Sequence, residues 1–136
     1  MEPDDESLRE LLRRARTIAV VGLSADPTRA SFRVAAYLQR QGYRIIPVNP
    51  ALTEPVLGET PYARLTDVPL PIDIVDVFRR PEHVSAIVDE CMALHLPALW
   101  LQDGVIDEAA ARRARTAGIF TVMDRCIFRD RAALPT

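Results

Sequence analysis

Between Ile18 and Asn49 the chain passes from an apolar run through glycine and a polar loop to a helical segment, a second glycine and another apolar run. The first run, Ile18-Ala19-Val20-Val21, is short and rich in β-branched residues, as expected for a strand covered on both faces. Gly22-Leu23-Ser24 and Ala25-Asp26-Pro27-Thr28-Arg29-Ala30 follow it. Ser31 stands where a helix N-cap is wanted, with Val34, Ala35 and Leu38 behind it at helical spacing. Gly42 is placed for a left-handed cap, and Arg44-Ile45-Ile46-Pro47-Val48 reads as the next strand. The unit has the length of a right-handed βαβ crossover. Its first loop faces a helix N-terminus, where free N–H groups and the helix dipole attract phosphate.

The same alternation continues to the end of the chain. Residues 5–16 read as an amphipathic lead-in helix with Leu8, Leu11, Leu12 and Ala15 on one stripe. Residues 50–71 carry proline too densely for a regular helix and allow only a short turn around Ala63-Arg64-Leu65. Ile72–Phe78 is the third strand, and the helix after Pro81 runs to about His95 with Val84, Ile87, Val88, Cys91 and Leu94 inward. Pro97–Leu101 and Ile119–Met123 are the fourth and fifth strands, with a helix between them capped by Asp107 and closed by Gly118. Asp124-Arg125-Cys126-Ile127-Phe128 then leads into a polar tail, 129–136. Five strands alternating with helices predict an α/β chain of one domain, an open, mostly parallel, doubly wound sheet. Ligands bind such sheets beyond the carboxyl ends of the strands, so the loops of interest are 22–31, 48–53, 78–81, 102–106 and 123–127.

Composition removes several classes of function. All 17 cations are arginine, and the absence of lysine excludes both a Walker A phosphate loop and a pyridoxal Schiff base. A side-chain cation that meets an anion here does so through a forked guanidinium. The formal net charge of −2 gives no electrostatic case for nucleic acid. No apolar run approaches the about 20 residues of a membrane span. The acidic start Met1-Glu2-Pro3-Asp4-Asp5-Glu6 resembles no secretory signal, so a cytoplasmic location is expected. Cys91 and Cys126, with His83 and His95, show no metal-ligand spacing, and two cysteines in such a chain argue against a structural disulfide.

The loops discriminate among nucleotide ligands. Of the dinucleotide fingerprint only Gly22 is present, Ser24 and Pro27 standing where further glycines belong. The second strand ends Val48-Asn49-Pro50 without the acid that usually meets the ribose of NAD, although Asn49 could reach a ribose.

Ile-Ala-Val-Val-Gly-Leu-Ser at 18–24, Arg-Ile-Ile-Pro-Val-Asn-Pro at 44–50, Asp-Ile-Val-Asp-Val-Phe-Arg-Arg at 73–80, Leu-Trp-Leu-Gln at 99–102 and Met-Asp-Arg-Cys at 123–126 resemble the stand-alone CoA-binding proteins. These are similar to the CoA-binding domain of succinyl-CoA synthetase alpha subunits. The resemblance spans roughly Thr17 to Phe128. It implies a single Rossmann-like domain over residues 1–136 that holds coenzyme A or an acyl-CoA, with no established catalytic residue and an unknown protein partner. It further implies that the first-loop residues Gly22, Leu23, Ser24, Arg29 and Ser31 hold the phosphates, and that Val48, Asn49 and Pro50 flank adenine and ribose. By the same resemblance Phe78 and Arg79 line the turn after the third strand, Gln102 the turn after the fourth, and Cys126 the path of the pantetheine arm. The sequence departs from the family pattern at Ala30, where proline is frequent, and at Asp103, where a carboxylate would repel phosphate.

Bland roles compete with these. Ser31 is read as a cap in any case, Cys91 and Trp100 as core, and the histidines as solvent-facing. Cys126 follows a strand end beside Arg125, but no histidine is near in sequence to serve as its base, so it is read as a buried, inert thiol. A non-catalytic carrier, sensor or regulatory module is therefore expected. The alternatives are a thiol-dependent CoA enzyme using Cys126 and an NAD(P)-linked redox protein.

Overall fold

The computed structural model describes residues 2–135. Five strands, β1 (Thr17–Val21), β2 (Arg44–Val48), β3 (Ile74–Val77), β4 (Ala98–Leu101) and β5 (Phe120–Val122), form one sheet in the order β2-β1-β3-β4-β5. All four pairings are parallel, where the sequence led us to expect a mostly parallel sheet. β2 is an edge strand, which is what allows Pro47 inside it: the ring removes a donor only on the side with no partner strand. Chain order reverses between β1 and β3, so the switch point lies there.

Helices α1 (Asp5–Arg14), α2 (Ala30–Arg40) and α5 (Ile127–Ala132) cover one face, and α3 (Val84–Ala93) and α4 (Glu108–Thr116) cover the other. The two hydrophobic clusters follow the strand alternation: Ile18, Val20, Ile74 and Trp100 face the first layer, Ala19, Val21, Val75 and Leu99 the second. α1 buries Leu8, Leu11 and Leu12, as its stripe requires, and Asp4 caps it by accepting from Ser7 N at 2.8 Å. α2 ends in a Schellman arrangement, with Tyr43 N donating to Leu38 O and Gly42 N to Gln39 O at a Gly42 φ of 104°. The proline-rich excursion extends the β2 edge through a Val48–Tyr62 bridge and holds one 3-10 turn, Leu65–Asp67, just past the position expected. Among the described residues no helix is long and apolar enough to cross a membrane.

The sequence reading fails in several places: besides Cys126, described below, Leu94, read as inward, lies exposed just past the end of α3, where the helix has stopped and no longer carries it against the sheet. Ser31 is not the N-cap of α2: the helix begins at Ala30 with Arg29 in the cap position, and Ser31 lies buried inside the first turn. The tail is not a polar end, because residues 127–132 form α5, which buries Ile127 and brings Leu134 against the core.

β3 carries two acids with opposite fates. Asp73 Oδ2 accepts from Arg16 N at 2.8 Å and Thr17 N at 2.9 Å, tying the start of β1 to that of β3. Asp76, in register between Val20 and Trp100, is fully buried with neither carboxylate oxygen hydrogen-bonded. Desolvation pushes its carboxyl well above the ordinary carboxylate range. The unfolded chain releases that proton near pH 4 (about 3.9), so the folded state loses stability as pH rises above this value toward the folded pKa, and loses none below it. Asp76→Asn should therefore gain on the wild type progressively from pH 4 to pH 8 (roughly the span above the free carboxyl pKa). Urea unfolding across that range measures the gap.

Candidate functional site

The end of β1 is drawn against both of its neighbours. Gly22 N donates to Val48 O and Phe78 N to Val21 O, each at 2.8 Å. Gly22 has a φ of 89°, and a Cβ there would stand 2.3 Å from Phe78 O and 2.9 Å from Arg79 Cδ. Only glycine meets both conditions. The loop beyond it is built from its own side chains: Ser24 Oγ accepts from Asp26 N, and Asp26 Oδ1 accepts from Thr28 N and Thr28 Oγ1. Those Thr28 bonds hold the Asp26 carboxyl below the usual range. Because the loop closes in this way, the Ser31 hydroxyl turns inward and accepts from Ser24 N at 3.0 Å. No side chain caps α2, so its first N–H groups are available to an anion at the strand ends. Asn49 donates from Nδ2 to Leu23 O and accepts at Oδ1 from Ala51 N, which fastens the β2 exit to the β1 exit. Leu23 and Val48 are buried and Pro50 is exposed.

The ends of β3 and β4, the first turns of α2 and the residue before α5 bound an open groove of about 500 Å³. It brings together Phe78, Arg79, Gln102 and Cys126. Gly22, Leu23, Ser24, Arg29, Ser31, Val48, Asn49 and Pro50 lie beside the β1 and β2 ends and outside its walls. Sequence reasoning missed Val34 as a lining residue, since an inward helical position reads as core; the helix N-terminus beside a strand exit was the available signal.

Several lining groups are already committed. Gln102 is buried, and its Oε1 accepts from Ile127 N at 3.0 Å, satisfying an N–H that α5 cannot satisfy itself. Asp103 turns away to Arg129, at 2.8 Å, so its carboxylate is neutralised rather than aimed at an anion. Asp124 Oδ1 accepts from Gly104 N at 2.8 Å and fixes the β4 exit loop. Arg125 is forked onto Asp130 at 3.1 and 2.6 Å, and its carbonyl accepts from the Trp100 indole at 2.9 Å. Cys126, expected to be buried, is instead half-exposed at the head of α5. Among the described residues Arg29, Arg79 and Arg80 take part in no ion pair. The strand ends thus present three uncompensated guanidinium groups next to an open helix N-terminus.

An all-parallel doubly wound sheet with helices on both faces defines a Rossmann-like domain, with its groove at the β3 and β4 exits beside the switch point. Residues 16–131 match the CoA binding domain family, and the chain belongs to that family. It is 40% identical over 125 residues to the uncharacterized protein YneT of Bacillus subtilis, a match covering 92% of each chain. A solved structure from Thermus thermophilus is 40% identical with a TM-score of 0.92, covering 96% of this chain and 98% of that one. A hypothetical protein from Pyrococcus horikoshii is 35% identical, again with a TM-score of 0.92, covering 97% and 92%. An acetyl-coenzyme A synthetase of Ca. Korarchaeum cryptofilum shares the fold over 83% of this chain and 27% of its own, at 23% identity and a TM-score of 0.69.

The close approach at Gly22 has a measurable cost if violated. Gly22→Ala should lose about 3 kcal/mol or more of stability. Gly58→Ala, at a φ of 76° with nothing within 4 Å, should lose only the backbone term, about 1–2 kcal/mol. Urea midpoints of the two variants make the comparison.

Proposed function

We propose that the protein binds coenzyme A or an acyl-CoA at the carboxyl ends of its strands and performs no chemistry on it, acting as a carrier, sensor or regulatory module. The observation that carries this reading is the set of unpaired guanidinium groups of Arg29, Arg79 and Arg80 beside the open N-terminus of α2, in a chain of the CoA binding domain family. Phosphates are multiply charged acceptors that a planar guanidinium meets with paired hydrogen bonds. In this reading the phosphates lie on Gly22, Ser24, Arg29, Ser31 and Arg79. Adenine and ribose lie against Val48, Asn49 and Pro50, and the pantetheine arm follows Phe78 and Gln102 toward Cys126. β2 ends without the acid that would favour NAD.

Calorimetry should give tighter binding of CoA than of NAD or NADP, weakening as salt rises. Arg79→Ala should cost about 1–3 kcal/mol of that affinity. NAD(H) binding as tight as CoA binding would overturn the assignment.

One observation favours a second reading: the half-exposed Cys126 lines the groove. Acyl transfer to its sulfur would need a base to take the thiol proton, and both histidines lie exposed about α3, on the opposite face of the sheet. Cys126→Ser should keep CoA affinity within a few-fold, and the wild type should release no thiol from acetyl-CoA or longer acyl-CoAs. Turnover that disappears in Cys126→Ser would instead establish the enzyme.

A further inference from the structure

A second groove, of about 630 Å³, opens along the outer side of α2 where α5 packs beside it. Its floor is apolar: Pro27, Phe32 and Ala36 come from the loop and from α2, and Phe128 comes from α5. Phe32 and Ala36 are one helical turn apart and share a face of α2, with the exposed Arg33 and Arg40 on one flank of it, Arg33 Nη1 donating to Thr28 O at 3.2 Å. Phe128 is 38% exposed, although its ring meets that of Tyr37 at a centroid distance of 4.2 Å. This groove and the strand-end groove share Ala30, Val34 and Cys126, so the two adjoin and Cys126 stands at their boundary.

We infer that the α2–α5 groove is an acyl-chain site, and that the preferred ligand is a medium-chain, uncharged acyl thioester rather than free CoA. The inference rests on the proposed placement of CoA and extends it. A pantetheine arm that follows the strand-end groove brings its sulfur to the boundary at Cys126. Whatever is esterified to that sulfur then enters the second groove. The lining there is mostly apolar carbon, with its two arginines exposed to water, which suits methylene groups better than a second carboxylate.

The test is a calorimetric series with CoA and its acetyl, butyryl, hexanoyl and octanoyl thioesters. Full burial of a methylene group is worth about fourfold in affinity, so a groove open on one side should give about twofold per methylene up to octanoyl. Ala36→Glu, which places a charge on the floor, should bind CoA as the wild type does and lose the dependence on chain length. Phe128→Ser should reduce that dependence from the α5 side. Octanoyl-CoA binding no tighter than CoA, or a gain that survives both substitutions, overturns the inference and leaves CoA binding standing. Succinyl-CoA gaining more than butyryl-CoA also overturns it, pointing to the flanking arginines. A ligand-free dimer by sedimentation that Ala36→Glu dissociates and octanoyl-CoA leaves intact would assign the groove to a second copy and overturn it too. Absence of CoA binding would bring down the proposed function and this extension together.

Discussion

The contact on which the rest of the structure depends is the approach of the Gly22 backbone to the Phe78 carbonyl. β1 is the central strand of the switch, and its exit is hydrogen-bonded to β2 through Val48 and to β3 through Phe78 within two successive residues. A side chain at position 22 would occupy the space of that carbonyl and of the Arg79 methylenes. With no side chain there, the chain can leave β1 sharply, enter α2 through a self-bonded loop, and leave the N–H groups of α2 pointing across the strand ends. The position of Arg79, the opening of α2 and the shape of the groove all descend from one missing Cβ.

Two groups of arginines are set apart by their pairing, although Arg16, Arg33, Arg40, Arg112 and Arg131 elsewhere also take part in no ion pair among the described residues. Arg113, Arg115, Arg125 and Arg129 are matched to carboxylates at 2.6–2.8 Å, on α4 or on and beside α5. Arg125 and Arg129, near the proposed ligand, lock α5 and the β4 exit loop by their pairing with Asp130 and Asp103. Arg29, Arg79 and Arg80 have no such partner among the described residues; Arg79 and Arg80 line the groove, and Arg29 stands at the head of α2 beside it. A guanidinium keeps its charge at any ordinary pH, so these three remain cations at the strand ends. They do so on a domain of net negative charge.

Three groups from the sequence reading differ through burial alone. Cys91 is fully buried in the α3 layer, and desolvation, with the Glu90 charge added, pushes its thiol up to about 12, so it behaves as a small hydrophobe. Asp76 is equally buried and unpaired, and desolvation pushes its carboxyl well above the ordinary range. Cys126 is the only one of the three that reaches a groove, because it sits where β5 has ended and α5 has only begun.

Much of this was legible in local pattern. The five strands, the sides of the helices, the left-handed cap at Gly42 and the core placement of Cys91 and Trp100 follow from periodicities that each segment carries within itself. The resemblance located the strand-end residues, and four of them, Phe78, Arg79, Gln102 and Cys126, share one groove. What local pattern could not decide depends on groups far apart in sequence. Ser31 has the chemistry of a cap, yet its hydroxyl is claimed by Ser24 N across the loop. Helix α5 is six residues long, too short to be stable by propensity. It forms because Ile127 finds the core and the Gln102 side chain, 25 residues away, accepts its first N–H. The sequence alone therefore determined the five strands, the helices α1 to α4 and the faces they bury, since those choices rest on spacing within a segment. Which strand ends meet, which arginines stay unpaired and where Cys126 is exposed were decided only by the tertiary structure, because each depends on a partner that the chain supplies from elsewhere.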